Sequence, residues 1–215
     1  MIQFYFNITD HLLTHWGICL LLLTIDTFLY KNHLWYSYKL RDLVLPDTPF
    51  NIISLVLFNQ FCIAFPVFYL IGELKEGSFF VLENLYKIPM TFILHETMFY
   101  YLHRLFHTSF LYKRIHYLHH RWKNPWAISA TYAHPIEHLF VNILPIVTSG
   151  LLANLNFTTM RVWHIFALFN TLISAHGGYK VFNRGQGSMH DLHHYEFNCN
   201  YGAIGLLDTL HETSK

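Results

Sequence analysis

Charge is what this sequence has least of. Only 13% of its 215 residues are Asp, Glu, Lys or Arg, against 53% apolar and 18% aromatic. That is too little charge for an ordinary soluble surface, and it points to a membrane. The net charge of +1 supplies no basic face, which excludes nucleic acid as a partner. Cysteine is also sparse. Cys19 and Cys62 sit in apolar runs and Cys199 lies apart from both. Neither a disulfide framework nor a cysteine metal site is expected from that spacing. The first apolar stretch is long and no basic residue precedes it, unlike a cleavable signal. No internal repeat, low-complexity segment or flexible linker interrupts the chain.

What is abundant is apolar runs. They cover 12–30, 50–71, 80–102, 135–153 and 159–176, and about 20 apolar residues suffice for a helix to cross a bilayer. The first holds one acid, Asp26. The third holds Glu83, Lys87, His95 and Glu96, and reads as a helix facing protein or as a re-entrant one. The last two are joined by the short turn Asn154–Thr158 and read as a helical hairpin.

Histidine is the other abundance, with 17 in the chain. Eight fall in three boxes: His103 and His107 in HRLFH; His116, His119 and His120 in HYLHH; His190, His193 and His194 in HDLHH. Residues at i, i+3 and i+4 share one helix face, so each box is expected to aim its rings at one point. Protonated rings packed together would repel, and a cation is what organises such a cluster. Eight imidazoles exceed what one ion takes, so the spacing suggests two metals. His176, ending the last apolar run, is the best ninth ligand. Zinc sites need three or four ligands, fewer than this set offers. Imidazole suits iron, and an iron pair can activate dioxygen. Zinc binds imidazole more tightly than ferrous iron and is the ion expected to replace it on overexpression. Glu96, Asp191 and Glu196 are candidates to orient ring N–H groups, and His134 and His138 are candidates for the same outer layer. No catalytic group separate from the ligands is expected.

Charge and ligands select one topology. If the hairpin begins and ends on one side, 31–49, 103–134 and 177–215 share that side and carry 11 of the 14 basic residues. Lys75, Lys87 and Arg161 fall elsewhere. By the positive-inside rule the histidine side is cytosolic. The sequons at Asn7 and Asn156 then face the lumen, too near a span for Asn156, at least, to be modified. The expected fold is an all-α polytopic membrane protein of four to five transmembrane helices. A cytosolic helical cap holds the histidine-rich di-metal site. Residues 1–89 form an N-terminal transmembrane region and 90–215 the catalytic region.

The boxes HX3H, HX2HH and HX2HH between membrane hairpins resemble the sterol desaturase and fatty acid hydroxylase superfamily over residues 90–212. YAHPIEH at 132–138, SAHGGY at 174–179 and HDLHHYEFNCNYG at 190–202 are similar to C4-methylsterol monooxygenases. FYYLHRLFH and AHPIEHLFVNILP are similar to vertebrate-type fatty acid hydroxylase domain-containing proteins. The resemblance implies an endoplasmic-reticulum membrane oxygenase with two irons. It implies dioxygen as co-substrate, and electrons from NAD(P)H through cytochrome b5 and its reductase. It carries the ligand role to the eight box histidines and to His176. The expected reaction is oxidation of an unactivated C–H bond of a lipid, a sterol C4-methyl group first. Hydroxylation or desaturation of a fatty acyl or sphingolipid chain is the alternative. With no electron-carrier motif in the sequence, the donor is expected to be external. The sequence departs from common family patterns at Phe99 and at Lys180, where relatives often carry histidine, or histidine or aspartate.

Two other classes remain. A divalent-metal transporter would place ligands at mid-membrane, whereas these boxes lie beyond the ends of the apolar runs. A haem protein would need only two facing histidines. His95 begins an HExxH-like string, but Phe99 holds the second histidine position, which excludes a zincin. His95 is expected to pack rather than to ligate. His11, His15, His33 and His164 are expected at the interface or in the core.

Overall fold

The computed structural model describes residues 8–39, 45, 47–70, 82, 84–123, 126–180 and 188–215. Asn7, Arg41, Lys75, Glu83 and Arg184 lie outside them. Most of the described residues are helical, and the one β-bridge among them pairs Lys39 with Tyr179, antiparallel. Five long helices carry the structure: α1 (Ile8–Lys31), α2 (Pro49–Leu70), α3 (Asn84–Phe106), α4 (Pro135–Leu152) and α5 (Phe157–Asn170). A sixth, α6 (Met189–Glu196), is short and carries the third histidine box.

The helices are inverted relative to those of a soluble protein. The buried face of α1 presents His11, His15 and Asp26, while Leu13, Leu20, Leu21 and Phe28 point outward. Helix α2 likewise buries Asn59 and Gln60 and exposes Phe50, Phe61 and Tyr69. Lipid solvates apolar side chains and cannot hydrogen-bond polar ones, so polar groups turn inward and find partners there. Asn59 does so by donating to the carbonyls of Thr131 and Ala133, at 3.0 and 2.8 Å.

Among the described residues three helices, α1, α2 and α4, are long and apolar enough to cross a membrane. The four to five spans expected from the apolar runs include α3 and α5 as well. Helix α3 is less apolar, carrying Lys87, His95, Glu96, His103 and Arg104, and it buries Lys87 and Glu96 against protein. Helix α5 is shorter and carries Arg161, His164 and Asn170.

Helices α4 and α5 form the expected hairpin. Asn154 turns the chain at φ 53°, and Asn156 caps α5 by accepting from the Thr159 amide at 3.0 Å. Gly150 permits the close crossing, since a Cβ there would stand 2.3 Å from the Met160 sulfur. Ala64, Phe68, Ile143, Val147, Met160 and Trp163 form the core where α2, α4 and α5 meet.

Two of the long helices contain a π-helical turn, Asn59–Ala64 in α2 and His138–Ile143 in α4, and a third such turn, Thr171–Ala175, follows α5 directly. Such turns insert one residue, re-aim the next side chain and concentrate at functional sites. The third delivers His176. The Thr171 carbonyl accepts both the His176 amide, at 3.1 Å, and its ring Nδ1, at 2.9 Å.

Candidate metal centre

The first box ends α3, so His103 and His107 stand one turn apart on one face. The second lies on a 3-10 helix, His116–Arg121, rather than on the α-helix implied by its spacing. The third lies on α6, which Ser188 and Asp191 start with a reciprocal capping box.

The nine histidines expected as ligands come together, in two groups. His103, His107, His116, His120 and His193 form one, and His119, His176, His190 and His194 the other. Within each group one nitrogen per ring lies within 4.8 Å of every other. This corrects the expectation that each box aims at one point. In box two the i, i+4 pair His116 and His120 joins the first group while His119 joins the second. In box three His190 and His194 join the second while His193 crosses to the first. On α6 the reason is angular: His193 and His194 are neighbours that project about 100° apart, so the odd member of that box faces a different centre.

The geometry of the first group fits an ion. Four Nε2 atoms close a ring: His107 to His116 at 2.9 Å, His116 to His120 at 3.0 Å, His120 to His193 at 3.1 Å, and His193 to His107 at 3.0 Å. With metal–nitrogen bonds of about 2.1 Å, adjacent ligands lie about 3.0 Å apart in square or octahedral geometry and about 3.4 Å apart in a tetrahedron. The tautomers agree. His116 donates Nδ1–H to the Glu137 carboxylate at 2.7 Å, and His193 donates to the Cys199 carbonyl at 2.6 Å. Their Nε2 atoms therefore carry lone pairs. At most two hydrogens remain for the four contacts, so lone pairs face each other unless a cation lies between them. His103 is oriented in the same way by the Tyr201 carbonyl at 2.8 Å.

The second group repeats the pattern. His176 donates Nδ1–H to Thr171, and His119 donates to the Tyr132 carbonyl at 3.4 Å. Their unprotonated Nε2 atoms face each other at 3.4 Å. His190 and His194 approach at 3.2 Å.

Burial, reinforced by neighbouring rings, holds these imidazoles in the neutral form that offers a lone pair. It pushes His107 down to about 2, His176 to about 3 and His119 to about 4. His116, His120, His190, His193 and His194 are all held well below the usual value, with desolvation the leading cause.

The carboxylates expected to orient rings have other partners. Glu96 accepts from the amides of Ala203, Ile204 and Leu207, tying α3 to the loop after α6. Glu196 pairs with Lys215 near the surface. Asp191 serves the cap of α6. His134 accepts from the Ile136 amide and starts α4. The buried carboxylate that does hold a ring is Glu137, which sequence reasoning missed. Its signal was an acid inside an apolar run, between His134 and His138. His138 is buried and takes an N–H from Asn142 at 3.3 Å.

Phe99 lies with its ring centroid 5.8 Å from His95 and 5.2 Å from His103. His95 packs on Phe99 and Trp163. Lys180 donates to the Tyr36 carbonyl. Beside the centre opens a cavity that five of the nine histidines line, continuing between Phe92, Val141, Ile146 and Phe166 of α3, α4 and α5.

The fatty acid hydroxylase family pattern matches residues 88–213. The chain is 34% identical over 216 residues to human fatty acid hydroxylase domain-containing protein 2, an alignment covering 92% of this chain and 62% of that protein. It is 31% identical over 219 residues to methylsterol monooxygenase erg25B of Aspergillus fumigatus, covering 90% of this chain and 71% of the relative. It is 34% identical over 123 residues to fatty acid hydroxylase ahd1 of Mycosarcoma maydis, covering 57% and 32%. The chain thus spans less than two thirds of the length of the human relative. No solved structure matches it.

Proposed function

The chain belongs to the fatty acid hydroxylase family, and on that premise we propose that it is a membrane lipid oxygenase. It uses dioxygen and two irons to oxidise an unactivated C–H bond. The observation that carries this reading is the pair of imidazole groups opening onto an apolar cavity between helices. His103, His107, His116, His120 and His193 would hold one ion, and His119, His176, His190 and His194 the other. Five and four nitrogens leave positions free for oxygen or substrate. The bound irons supply the oxidising power.

The protein's own contribution is positioning and exclusion. The carbonyls of Tyr201, Cys199, Thr171 and Tyr132, with the Glu137 carboxylate, fix five rings in the tautomer that presents Nε2. Burial of the rings keeps water from the reacting carbon. Phe92, Val141, Ile146 and Phe166 give an apolar lipid a path from the bilayer to the centre.

The substrate read first is a sterol C4-methyl group, supported by the 71% coverage of a methylsterol monooxygenase. An acyl chain is the second reading, supported by the likeness to a fatty acid hydroxylase. Electrons would come from NAD(P)H through cytochrome b5 and its reductase. The basic residues Lys113, Arg114, Arg121 and Lys123 offer that acidic donor a landing face. The enzyme resides in the endoplasmic reticulum with its centre facing the cytosol, the side that the basic residues select. The test is oxygen-dependent conversion of a 4-methylsterol in microsomes with NADPH, with acyl lipids run in parallel. Conversion of acyl lipids alone replaces the substrate. Conversion of neither, by protein carrying two irons, ends the oxygenase reading.

A further inference from the structure

The cavity has a second polar wall, formed by His11 of α1, His138 of α4 and His164 of α5. These histidines come from three helices, stand apart from the nine at the centre, and are each no more than 2% exposed.

Their hydrogen bonding is incomplete in a defined way. Asn142 Nδ2 reaches two acceptors, the Ala130 carbonyl at 3.2 Å and His138 Nδ1 at 3.3 Å. The carbonyl fixes the amide orientation, because only the NH2 end can donate to it. His138 Nδ1 is therefore an acceptor, and the proton of this ring sits on Nε2. That buried donor has no hydrogen-bond partner among the described residues. His11 Nδ1 lies 3.1 Å from His164 Nε2, and Phe68 packs against both rings. His11 Nε2 is buried and has no partner among the described residues. It donates or accepts according to which ring supplies the shared hydrogen. A hydroxyl is the group that can accept from His138 and can also answer His11 in either state.

Charge narrows the ligand further. No Lys or Arg is among the described residues lining the cavity, and its one acid, Glu137, is engaged with His116. Apart from the ions that the centre would hold, a free carboxylate finds no cationic side chain there. Size narrows it again. The cavity volume of 110 Å³ is below the roughly 300–1,000 Å³ of pockets that enclose a whole small ligand. One end of a lipid fits, so a hydroxyl held here lies at the end of the lipid that reaches the metal centre.

We propose that His11, His138 and His164 form a substrate subsite for a lipid hydroxyl carried near the carbon that is oxidised. This rests on the lipid-oxygenase reading, and it makes the three residues positioning groups for hydroxylated lipids over free fatty acids.

The experiment uses the full chain in nanodiscs, with binding as readout. The probes are a photoreactive 4-methylsterol with a free 3-hydroxyl and its 3-deoxy analogue. Hexadecanol and palmitate serve as competitors. The wild type should label with the hydroxyl probe roughly tenfold better than with the deoxy probe, the worth of a buried hydrogen bond. Hexadecanol should compete better than palmitate. His138→Leu and His11→Phe should lose the preference while keeping their metal content, and His138→Gln, which restores a donor, should recover it. No hydroxyl preference in either pair by the wild type, or a preference that survives in His138→Leu, overturns the subsite. Metal content and sterol turnover on the same samples separate the two claims. Turnover without hydroxyl preference removes the subsite alone. Hydroxyl preference in protein that carries two irons and turns over no lipid removes the oxygenase reading alone.

Discussion

Glu137 and His116, 21 residues apart in sequence, share a 2.7 Å hydrogen bond with both side chains fully enclosed. The carboxylate comes from the first turn of α4, so the start of a membrane-crossing helix sets the tautomer of a ring in the histidine centre. Removing such a partner typically costs 10–100-fold in metal affinity or activity. Glu137→Ala should show a loss of that order in chelator competition, and Glu137→Gln, which still accepts, a smaller one. Unchanged affinity in Glu137→Ala would detach this carboxylate from the metal.

The purified protein should bind two transition-metal ions, iron when grown at native levels. His119→Ala, His176→Ala and His193→Ala should each lower metal content and abolish turnover. His95→Ala removes only packing against Phe99 and Trp163 and should retain both ions. Elemental analysis decides, and one ion or none in well-folded wild type would break the two-metal assignment.

Gly202 leaves no room for a side chain. A Cβ there would lie 2.4 Å from Glu96 Oε1 and 2.7 Å from Asp208 Oδ2. Those acids hold the loop whose Tyr201 carbonyl orients His103. Gly202→Ala should destabilise the protein by about 1–3 kcal/mol, as overpacking does, and weaken the ion of the five-histidine group more than the other. Thermal unfolding and metal titration of the variant read the two effects separately.

Asp26 and Lys39 form a buried ion pair at 3.0 Å, and Lys39 also donates to the Gly177 carbonyl at 2.6 Å, next to His176. Tyr179 and Trp126 donate to the same carboxylate. Asp26→Ala strands a buried ammonium, which typically costs about 3–5 kcal/mol. The double variant Asp26→Ala/Lys39→Met should recover much of that stability, as judged by unfolding in detergent. A double variant no more stable than the single one would show that the pair is not what Asp26 contributes.

Arg121→Cys and Lys180→Cys should both react with an impermeant maleimide from the cytosolic side of sealed vesicles, and a cysteine at Asn154 only after permeabilisation. Opposite labelling of the first two would contradict a centre built from both segments.

The apolar runs located every long helix, because a lipid-facing helix needs a long apolar stretch whatever its partners are. The ends moved: α1 begins at Ile8 rather than 12, and α3 runs on through His103 to Phe106. A helix continues past the membrane into protein contacts that hydropathy does not register. The eight box histidines were legible from spacing and His176 from its place at the end of an apolar run, but their division between two groups was not, since spacing gives relative angle and not the position of the facing helices. Box two also reads the same as an α turn or as the 3-10 turn that it is. Glu137 was missed although Asp26, another acid in an apolar run, was noted. The carboxylates beside the boxes, Glu96 and Glu196, drew attention by proximity along the chain, which says little about proximity across a fold. The π turns leave no periodic trace at all.

The exchange of His119 and His193 between the two histidine groups makes them interlocked rather than adjacent. Neither group is complete without a ring from a box that mainly serves the other. An ion bound by the first group would hold His193, and through α6 would hold His190 and His194 where they face the second. Occupancy should therefore be cooperative. A titration of metal-free protein should pass from empty to doubly filled with few singly filled molecules, and a chelator should strip both ions together. A half-loaded centre, able to take up oxygen without the full complement of reducing equivalents, would be kept rare by the way the chain is threaded.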